Sequence, residues 1–239
     1  MRISNRKYAI TGASRGLGAA LAIKMADAGA RLVLLARTKE ALAETQKAIL
    51  DRTGQRAKTL ACDLADLESV ASAGCHLAAE HTDLDGVIHN GAMWLPGSLR
   101  ELSDFDIQNC VASAVIGALV LTRHLLPGLE AREAADIHTV VSTSGLPNPP
   151  KGRLGSVAFV AAKSAQTGFV HGLSNELDGT NVRVTAIYPG DIDDVSPLDQ
   201  AWAQPAPSQQ VLSNREVVEA IMFTLNMPPK ITVKALQLM

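Results

Sequence analysis

Short apolar runs, many of them β-branched, alternate along the chain with longer runs in which alanine and leucine recur at helical spacing. Because strands that are apolar throughout are buried on both faces, the short runs predict a parallel sheet. The predicted strands are 8–11, 31–36, 56–62, 86–89, 137–142, 182–188 and 231–238, and the predicted helices are 19–28, 39–52, 67–81, 104–126, 156–177 and 214–225. This alternation predicts an α/β fold of Rossmann type, a doubly wound parallel sheet of about seven strands with helices on both faces.

Two long irregular segments follow predicted strands, one at 145–155 and one at 191–210. In an open α/β sheet the ligand binds beyond the carboxyl ends of the strands, so both segments are expected to border the site. The second lies in a region near 191–212 that we interpret as a lid. Since no linker, repeat or low-complexity segment divides the chain, residues 1–239 are predicted to form one domain.

Composition narrows the class of protein. The chain has 239 residues, 47% hydrophobic and 19% charged, which is enough for a sizeable core, and its net charge of −2 favours neither nucleic acid nor an anionic membrane. Three cysteines, Cys62, Cys75 and Cys110, form no paired spacing and no zinc-type cluster, so we predict a reducing compartment and no metal. The uncharged stretch 107–122 is shorter than a membrane span and no signal peptide is evident, which favours a cytoplasmic protein.

The strongest motif is the segment 11–18, TGASRGLG, which lies between the first predicted strand and the first predicted helix. Glycines there permit a tight turn and let a pyrophosphate approach backbone N–H groups, and the helix N-terminus adds partial positive charge. At the first β–α turn of an alternating chain this motif predicts dinucleotide binding rather than a plain glycine-rich turn. The residues predicted to contact the cofactor here are Gly12, Ser14, Arg15, Gly16, Leu17 and Gly18.

Two arginines bear on which dinucleotide binds. NAD binders place an acidic residue about 20 residues beyond the loop, whereas the second predicted strand ends at Arg37 with no carboxylate. The forked guanidinium of Arg37 suits a 2′-phosphate, and Arg15 lies on the same side. NADP(H) is therefore favoured, the alternative being that both arginines are solvated surface residues.

Several motifs in order show that the chain resembles the short-chain dehydrogenase/reductase family, in its single-domain branch. The resemblance implies cofactor contacts along nearly the whole chain. They are Gly12 to Gly18, Asp63 and Leu64 after the third strand, Asn90, Gly91 and Ala92 after the fourth, Lys163, and Pro189, Gly190 and Ile192 after the sixth. It also implies a reaction in which NADPH gives hydride to a carbonyl carbon while a tyrosine protonates the oxygen, a serine binds that oxygen, a lysine tunes the tyrosine and an asparagine orders a proton relay.

The catalytic positions depart from that pattern. Ser144 matches the serine, with Ser142 as a substitute, and Lys163 matches the lysine. The tyrosine position holds Phe159, and the relay asparagine falls at Ala114, beside Ser113. Phenylalanine cannot donate a proton, and general acid catalysis contributes about 10²–10⁴-fold, so we expect a slow or altered enzyme.

Candidate replacement acids are few. His89 lies beside the expected nicotinamide region, although a structural strand-end histidine is the favoured interpretation. Lys163 acting through water is another, with ribose binding alone favoured over it. Three functions stay open: an NADP(H)-dependent oxidoreductase acting on a small, largely apolar carbonyl or alcohol, an NADP(H)-binding protein or partner subunit with little activity, and a lyase or isomerase on the same scaffold.

The helices predicted at 104–126 and 156–177 carry more apolar surface than one sheet face covers. The family often pairs these helices across two-fold axes. A homodimer or homotetramer through the two long helices is therefore expected.

Overall fold

The computed structural model describes residues 2–149, 155–204 and 211–239. Its first half contains β1 (Lys7–Thr11), α1 (Gly16–Asp27), β2 (Arg31–Ala36), α2 (Ala43–Thr53), β3 (Lys58–Ala61), α3 (Leu67–Glu80), β4 (Gly86–His89), α4 (Asp104–Val111) and α5 (Gly117–Glu130). A π-helical segment, Ala112–Ile116, joins α4 to α5. The second half contains β5 (Ala135–Val140), α6 (Val157–Glu176), β6 (Val182–Pro189), β7 (Ile192–Asp193), β8 (Leu212–Ser213), α7 (Asn214–Asn226) and β9 (Ala235–Leu238).

Seven of these strands form one parallel sheet in the order β3-β2-β1-β4-β5-β6-β9. The order reverses between β1 and β4, which is the place where open α/β sheets form a crevice for ligands. We call the edge at which these strands end the carboxyl edge. The predicted fold class is confirmed.

The core is divided by the sheet into two apolar layers. Successive side chains of β1 alternate between the layers, so that Tyr8 and Ile10 face one and Ala9 faces the other. Helices α1, α2 and α7 cover the first face, and α3, α5 and α6 cover the second. Burial on both faces explains why the strands read as uninterrupted apolar runs.

Helix ends account for most differences from the prediction. The helix predicted to stop before Pro127 continues to Glu130 with the proline inside its last turns. Buried Leu125 and Leu129 hold this end in the core, and a proline this close to the end removes one hydrogen bond without ending the helix. The third and last strands are shorter than predicted, because the paired stretches are Lys58–Ala61 and Ala235–Leu238.

Side-chain caps fix the starts of the helices that follow the longer connections. Ser103 Oγ accepts from Asp106 N, Ser156 Oγ from Phe159 N, and Ser213 forms a capping box with Glu216. Such caps contribute about 1 kcal/mol each and set where a helix begins. The cap at Ser156 places Phe159 and Lys163 in the first two turns of α6.

Two observations concern the segments of special interest. In the lid region, β7 and β8 form a short parallel pair, while residues 205–210 of that region, and 150–154 of the other long segment, lie outside the described residues.

Among the described residues, the continuous helix Asp104–Glu130 is long and apolar enough to cross a membrane by length and composition alone. It lies against α3 and α6 within one layer of the domain, and 44% of its most apolar stretch is buried there.

Candidate functional site

The carboxyl edge brings together four of the sequence-predicted segments. The glycine loop follows β1, Asn90 and Gly91 follow β4, the serine-containing turn 142–145 follows β5, and Gly190 follows β6. These strands are adjacent in the sheet, so residues that are far apart in the sequence face one crevice.

Three glycines make the phosphate loop, which we define as residues 11–18, too close to its surroundings for a side chain. A methyl group on Gly18 would lie 2.1 Å from Gly12 O, and one on Gly12 would lie 2.7 Å from Gly91 Cα. Gly12 and Gly16 also have positive φ angles, of 66° and 54°. The loop thus depends on glycine at each position, for its turn or for its packing.

The loop is tied to β4 by a hydrogen-bond network around Thr11. Thr11 Oγ1 accepts from the backbone N–H groups of Asn90 and Gly91, both at 3.0 Å. The Asn90 amide donates to Thr11 O at 3.2 Å and to Gly12 O at 3.3 Å. Asn90, which the resemblance assigns to the cofactor, therefore holds the shape of the loop in this structure.

Helix α1 begins at Gly16 with no side chain capping its N-terminus. Its first backbone N–H groups and its partial positive charge face the crevice, which suits a phosphate. Ser14 and Leu17 beside them are half-buried. The donor set and the closely packed glycines fit a dinucleotide pyrophosphate.

Arg15, directly before α1, and Arg37, directly after β2, are both exposed. Within residues 2–149, 155–204 and 211–239, neither guanidinium has an ion-pair or hydrogen-bond partner. Both can therefore meet an anionic ligand without breaking an existing contact.

Asp63 and Leu64 follow β3, as the resemblance requires. The Asp63 carboxylate accepts from Ala65 N at 3.0 Å, which closes the turn before α3. The Leu64 side chain lies under Gly91, where an added methyl group would meet Leu64 Cδ1 at 2.6 Å. These residues shape the wall of the crevice next to the second and third strands.

The sequence analysis missed Asp194, which reaches the phosphate loop from the lid region. A methyl group on Gly16 would lie 3.1 and 3.2 Å from the two Asp194 carboxylate oxygens. Asn214 Nδ2 holds this carboxylate with a hydrogen bond of 3.0 Å. An acidic side chain thus lies at the start of α1, where its negative charge competes with that of a phosphate.

The remaining predicted cofactor residues, Pro189, Gly190, Ile192 and Ala92, have no polar side-chain atoms. Pro189 is the last residue of β6, and Gly190 N donates to Leu238 O at 3.0 Å. Ile192 is half-buried in β7 against the first apolar layer, and Ala92 is exposed. These residues contribute backbone and apolar atoms to the carboxyl edge.

Phe159 lies in an aromatic and apolar cluster rather than in a polar site. Its ring meets Trp94 edge-to-face, with centroids 4.6 Å apart, and it belongs to a buried group with Cys110 and Ala114. The Lys163 ammonium lies 5.6 Å from the centre of the Phe159 ring. The two side chains therefore lie next to each other at the start of α6, with a phenylalanine ring where the resemblance implies a phenol.

Lys163 is buried and donates to two acceptors. Its Nζ donates to Gln166 Oε1 at 2.9 Å and to Val140 O at 3.3 Å. Gln166 Nε2 in turn donates to Ala114 O at 2.8 Å. Burial lowers the pKa of Lys163 to about 8, so this amine titrates near neutral pH.

The remaining predicted polar residues are placed as follows. Ser144 is buried in the turn after β5, and its N–H donates to Ser142 Oγ at 3.1 Å. Ser113, considered as a polar neighbour of the missing asparagine, accepts from Met93 N at 3.2 Å and so holds the segment after β4. Its hydroxyl is therefore engaged away from Lys163.

His89 is a structural residue. Its ring is 2% exposed, lies 2.8 Å from Thr122 Oγ1 and packs edge-to-face on Phe169. Burial lowers its pKa to about 4, so it is neutral at physiological pH. The two tyrosines are also unsuited as acids, because burial raises the pKa of Tyr8 and that of Tyr188.

Comparison with known proteins identifies the family. The family model described as short chain dehydrogenase matches residues 6–205. An uncharacterized oxidoreductase of Staphylococcus saprophyticus is 27% identical over 234 residues, 98% of this chain and 96% of that protein. A fatty acyl-CoA reductase of Acinetobacter baylyi is 32% identical over 181 residues, 75% of this chain and 60% of that longer protein.

A solved structure agrees. L-sorbose reductase from Gluconobacter frateurii, complexed with NADPH and L-sorbose, superimposes with a TM-score of 0.84 at 24% identity, covering 99% of this chain and 95% of that chain. The chain belongs to the short-chain dehydrogenase/reductase family and has its Rossmann-type oxidoreductase fold.

Proposed function

We propose that the protein is an NADP(H)-dependent oxidoreductase that acts on a small carbonyl or alcohol, with slow turnover because Phe159 replaces the acid. The observation that carries this proposal is the glycine-packed phosphate loop at an uncapped helix N-terminus, next to two arginines that have no polar partner among the described residues. Family membership supplies the reaction class.

The arginines support NADP(H) over NAD(H). Arg37 directly follows β2, where an NAD binder would carry an acid for the ribose hydroxyl, and Arg15 lies on the neighbouring turn. A guanidinium can bind a 2′-phosphate through two parallel hydrogen bonds. NADPH is also the cofactor bound in the solved L-sorbose reductase.

When bound, NADPH would supply a hydride to the carbonyl carbon, and the carbonyl oxygen would take a proton. Phe159 has no proton to give, and its ring centre lies 5.6 Å from the Lys163 ammonium. The buried Lys163 ammonium lies next to that ring, and its lowered pKa would let it donate a proton directly or through water. Ser144, which the resemblance assigns to the carbonyl oxygen, lies at the neighbouring end of β5.

A second candidate is an NADP(H)-binding partner subunit with little activity of its own. Two observations favour it: Phe159 is sealed against Trp94, and Asp194 lies over the phosphate loop. A lyase or isomerase that uses Lys163 would be distinguished by a product with no net redox change.

Titration of the purified protein with NADPH and with NADH, followed by nucleotide fluorescence, tests the proposal. We expect NADPH to bind at least about tenfold more tightly, as one charge-assisted contact to a phosphate provides. Incubation with NADPH and ketones should then give slow oxidation of the cofactor. Absence of binding by either nucleotide would contradict both candidates, and binding without turnover would favour the partner subunit.

The apolar surface of the long helices supports a homodimer or homotetramer. Phe105, Ile116 and Leu119 on the α4–α5 helix and Val157 on α6 are exposed large apolar residues. Light scattering at micromolar concentration should report at least a dimer, and Leu119→Glu should dissociate it. A monomeric wild-type protein would contradict this assembly.

A further inference from the structure

Gln166 lies at the centre of a buried chain of hydrogen bonds that the sequence analysis did not foresee. The side chain is 1% exposed and connects Lys163 Nζ at 2.9 Å with Ala114 O at 2.8 Å. Ala114 is the position at which the resemblance places the relay asparagine. The residue that replaces it has no polar side chain, yet its backbone carbonyl is joined to the lysine.

The orientation of the Gln166 amide is fixed by its partners. A backbone carbonyl can only accept, so the NH₂ end must face Ala114 and the oxygen must face Lys163. An amide oxygen can only accept as well, so Lys163 must donate to it. Together with Val140 O, this arrangement engages two of the three N–H groups of the ammonium, and the third has no partner among the described residues.

The helix opposite α6 supports this connection by its backbone form. Ala114 lies in the π-helical segment, where the N–H of Gly117 bonds to Ala112 O instead of following the α-helical pattern. Such bulges change the direction of carbonyl groups and are frequent at functional sites. Gly117, packed against Leu64 O, ends the segment close to the wall of the crevice.

We propose that Gln166 is a positioning residue of the active site: it fixes the Lys163 ammonium between β5 and the π-helical segment, and so directs its third N–H toward the cofactor. This inference rests on the proposed function. One amide thereby connects the lysine to the helix position from which the asparagine relay of the family would start.

Because the Gln166 side chain is neutral, it does not raise the pKa of Lys163 as an acidic partner would. Burial lowers the pKa of Lys163 and the nearby Cys110 thiol from α4 raises it, whereas Gln166 brings no charge. A carboxylate in its place would form a buried ion pair and raise the pKa. The conservative variant Gln166→Glu is therefore a probe of the contact itself.

The test combines nucleotide binding with direct titration of the lysine. The variants are Gln166→Leu, Gln166→Glu, Lys163→Met and the double variant Lys163→Met/Gln166→Leu. Thr167→Val is the matched control, since Thr167 bonds to the backbone carbonyl of Lys163 and not to its ammonium. NADPH affinity is measured by fluorescence titration, and the Lys163 pKa by NMR of protein with isotope-labelled lysine.

We expect Gln166→Leu to weaken NADPH binding about tenfold, the effect of one lost charge-assisted hydrogen bond, and to add no loss in the Lys163→Met background. Gln166→Glu should raise the Lys163 pKa by at least one unit, while Thr167→Val should leave it unchanged. Additive losses in the cycle, or an unchanged Lys163 pKa in Gln166→Glu, would overturn the proposal.

The two readouts also separate this inference from the proposed function. If wild type binds no NADPH, the proposed function fails, and the pKa measurements still decide whether Gln166 controls the lysine. If Gln166→Leu does not fold, Gln166→Glu carries the test, because it keeps the size and the acceptor oxygen of the original side chain.

Discussion

The phosphate loop and the catalytic end of the crevice are built from different kinds of atoms. The loop is formed by backbone groups: an added methyl group would lie 2.7 Å from neighbouring backbone at Gly12 and 2.1 Å at Gly18, and Gly16 has a positive φ angle. The catalytic end consists of side chains, Phe159, Lys163 and Gln166, whose chemistry changes with one substitution. The comparison teaches that the shape of the loop constrains its residues through backbone contacts, whereas the chemistry that we propose for the other end depends on single side chains.

The largest expected effect comes from a side chain in the phosphate loop. Gly18→Ala places a methyl group 2.1 Å from Gly12 O, so the loop must deform and the start of α1 must shift. We expect NADPH affinity to fall more than about 100-fold, since several backbone contacts to the phosphates are lost together. Fluorescence titration measures the loss.

Gly128→Ala is the matched control for that variant. Nothing lies within 4 Å of the added methyl group, and alanine stabilises a helix interior by about 0.5–1 kcal/mol relative to glycine. Affinity should be unchanged and the melting temperature slightly raised. Near wild-type affinity in Gly18→Ala would show that the loop does not bind the phosphates.

Two buried histidines, one on β4 and one on β5, should make the free energy of unfolding depend on pH. Burial lowers the pKa of His89 on β4 and of His138 on β5 to about 4, below the ordinary value of 6.5. Both rings are neutral in either state above pH 6.5. Below it the unfolded chain takes up protons first, so stability falls from pH 6.5 to about 4, by about 1.4 kcal/mol per pH unit for each ring.

Urea unfolding between pH 7.5 and 4.5 measures that slope. His89→Gln should remove the contribution of one ring, while His171→Gln, a change at an exposed position, should leave the slope as it is. A free energy of unfolding that stays constant down to pH 4.5 would contradict the buried neutral state of both rings.

Arg37 provides the test of cofactor choice. Arg37→Ala should weaken NADPH binding about 10- to 30-fold and leave NADH binding unchanged, because only the 2′-phosphate is lost as a partner. Arg31→Ala, at the opposite end of the same strand and paired with Asp83, is the control. Equal losses for both nucleotides would mean that Arg37 does not read the 2′-phosphate.

The smallest effect is expected from Asp194, which approaches the phosphate loop from the lid region. Asp194→Asn keeps the shape of the side chain at Gly16 and removes its negative charge. NADPH should bind about three- to tenfold more tightly, as removal of one repulsive surface charge allows, and the gain should shrink in high salt. Weaker binding in this variant would show that the carboxylate assists the cofactor.

The fold could be predicted from the sequence because burial on both sheet faces makes each central strand a short, continuous apolar run, and these runs alternate with amphipathic helices. The end of α5 could not, since the contacts of Leu125 and Leu129 offset the usual effect of Pro127. The rule that a helix ends before a proline uses only the local sequence, and it takes no account of contacts with the rest of the fold.

The same distinction applies to the candidate site. Motif order was enough to nominate the phosphate loop, Lys163 and Phe159, whose roles stay predictions. Gln166 was not identified from the sequence because its partner Ala114 is 52 positions away. The hydrogen bond is made to the Ala114 backbone carbonyl, and residue identity does not predict such a bond. Asp194 was missed for a related reason: its distance from Gly16 depends on how the lid region folds back over α1.

Phe159→Tyr is the most direct test of the proposal that the protein binds NADPH but lacks the general acid. Hydride transfer from NADPH deuterated at the nicotinamide C4 would be followed into a panel of small ketones, for wild type and for the variant, at saturating cofactor. We predict similar NADPH affinity for both proteins and faster turnover in the variant, by about 10²–10⁴-fold if the general acid is fully restored. Deuterium in the alcohol product of the variant would confirm hydride transfer. A variant that binds NADPH as wild type does and transfers no deuterium to any ketone would contradict the placement of Phe159 at the acid position.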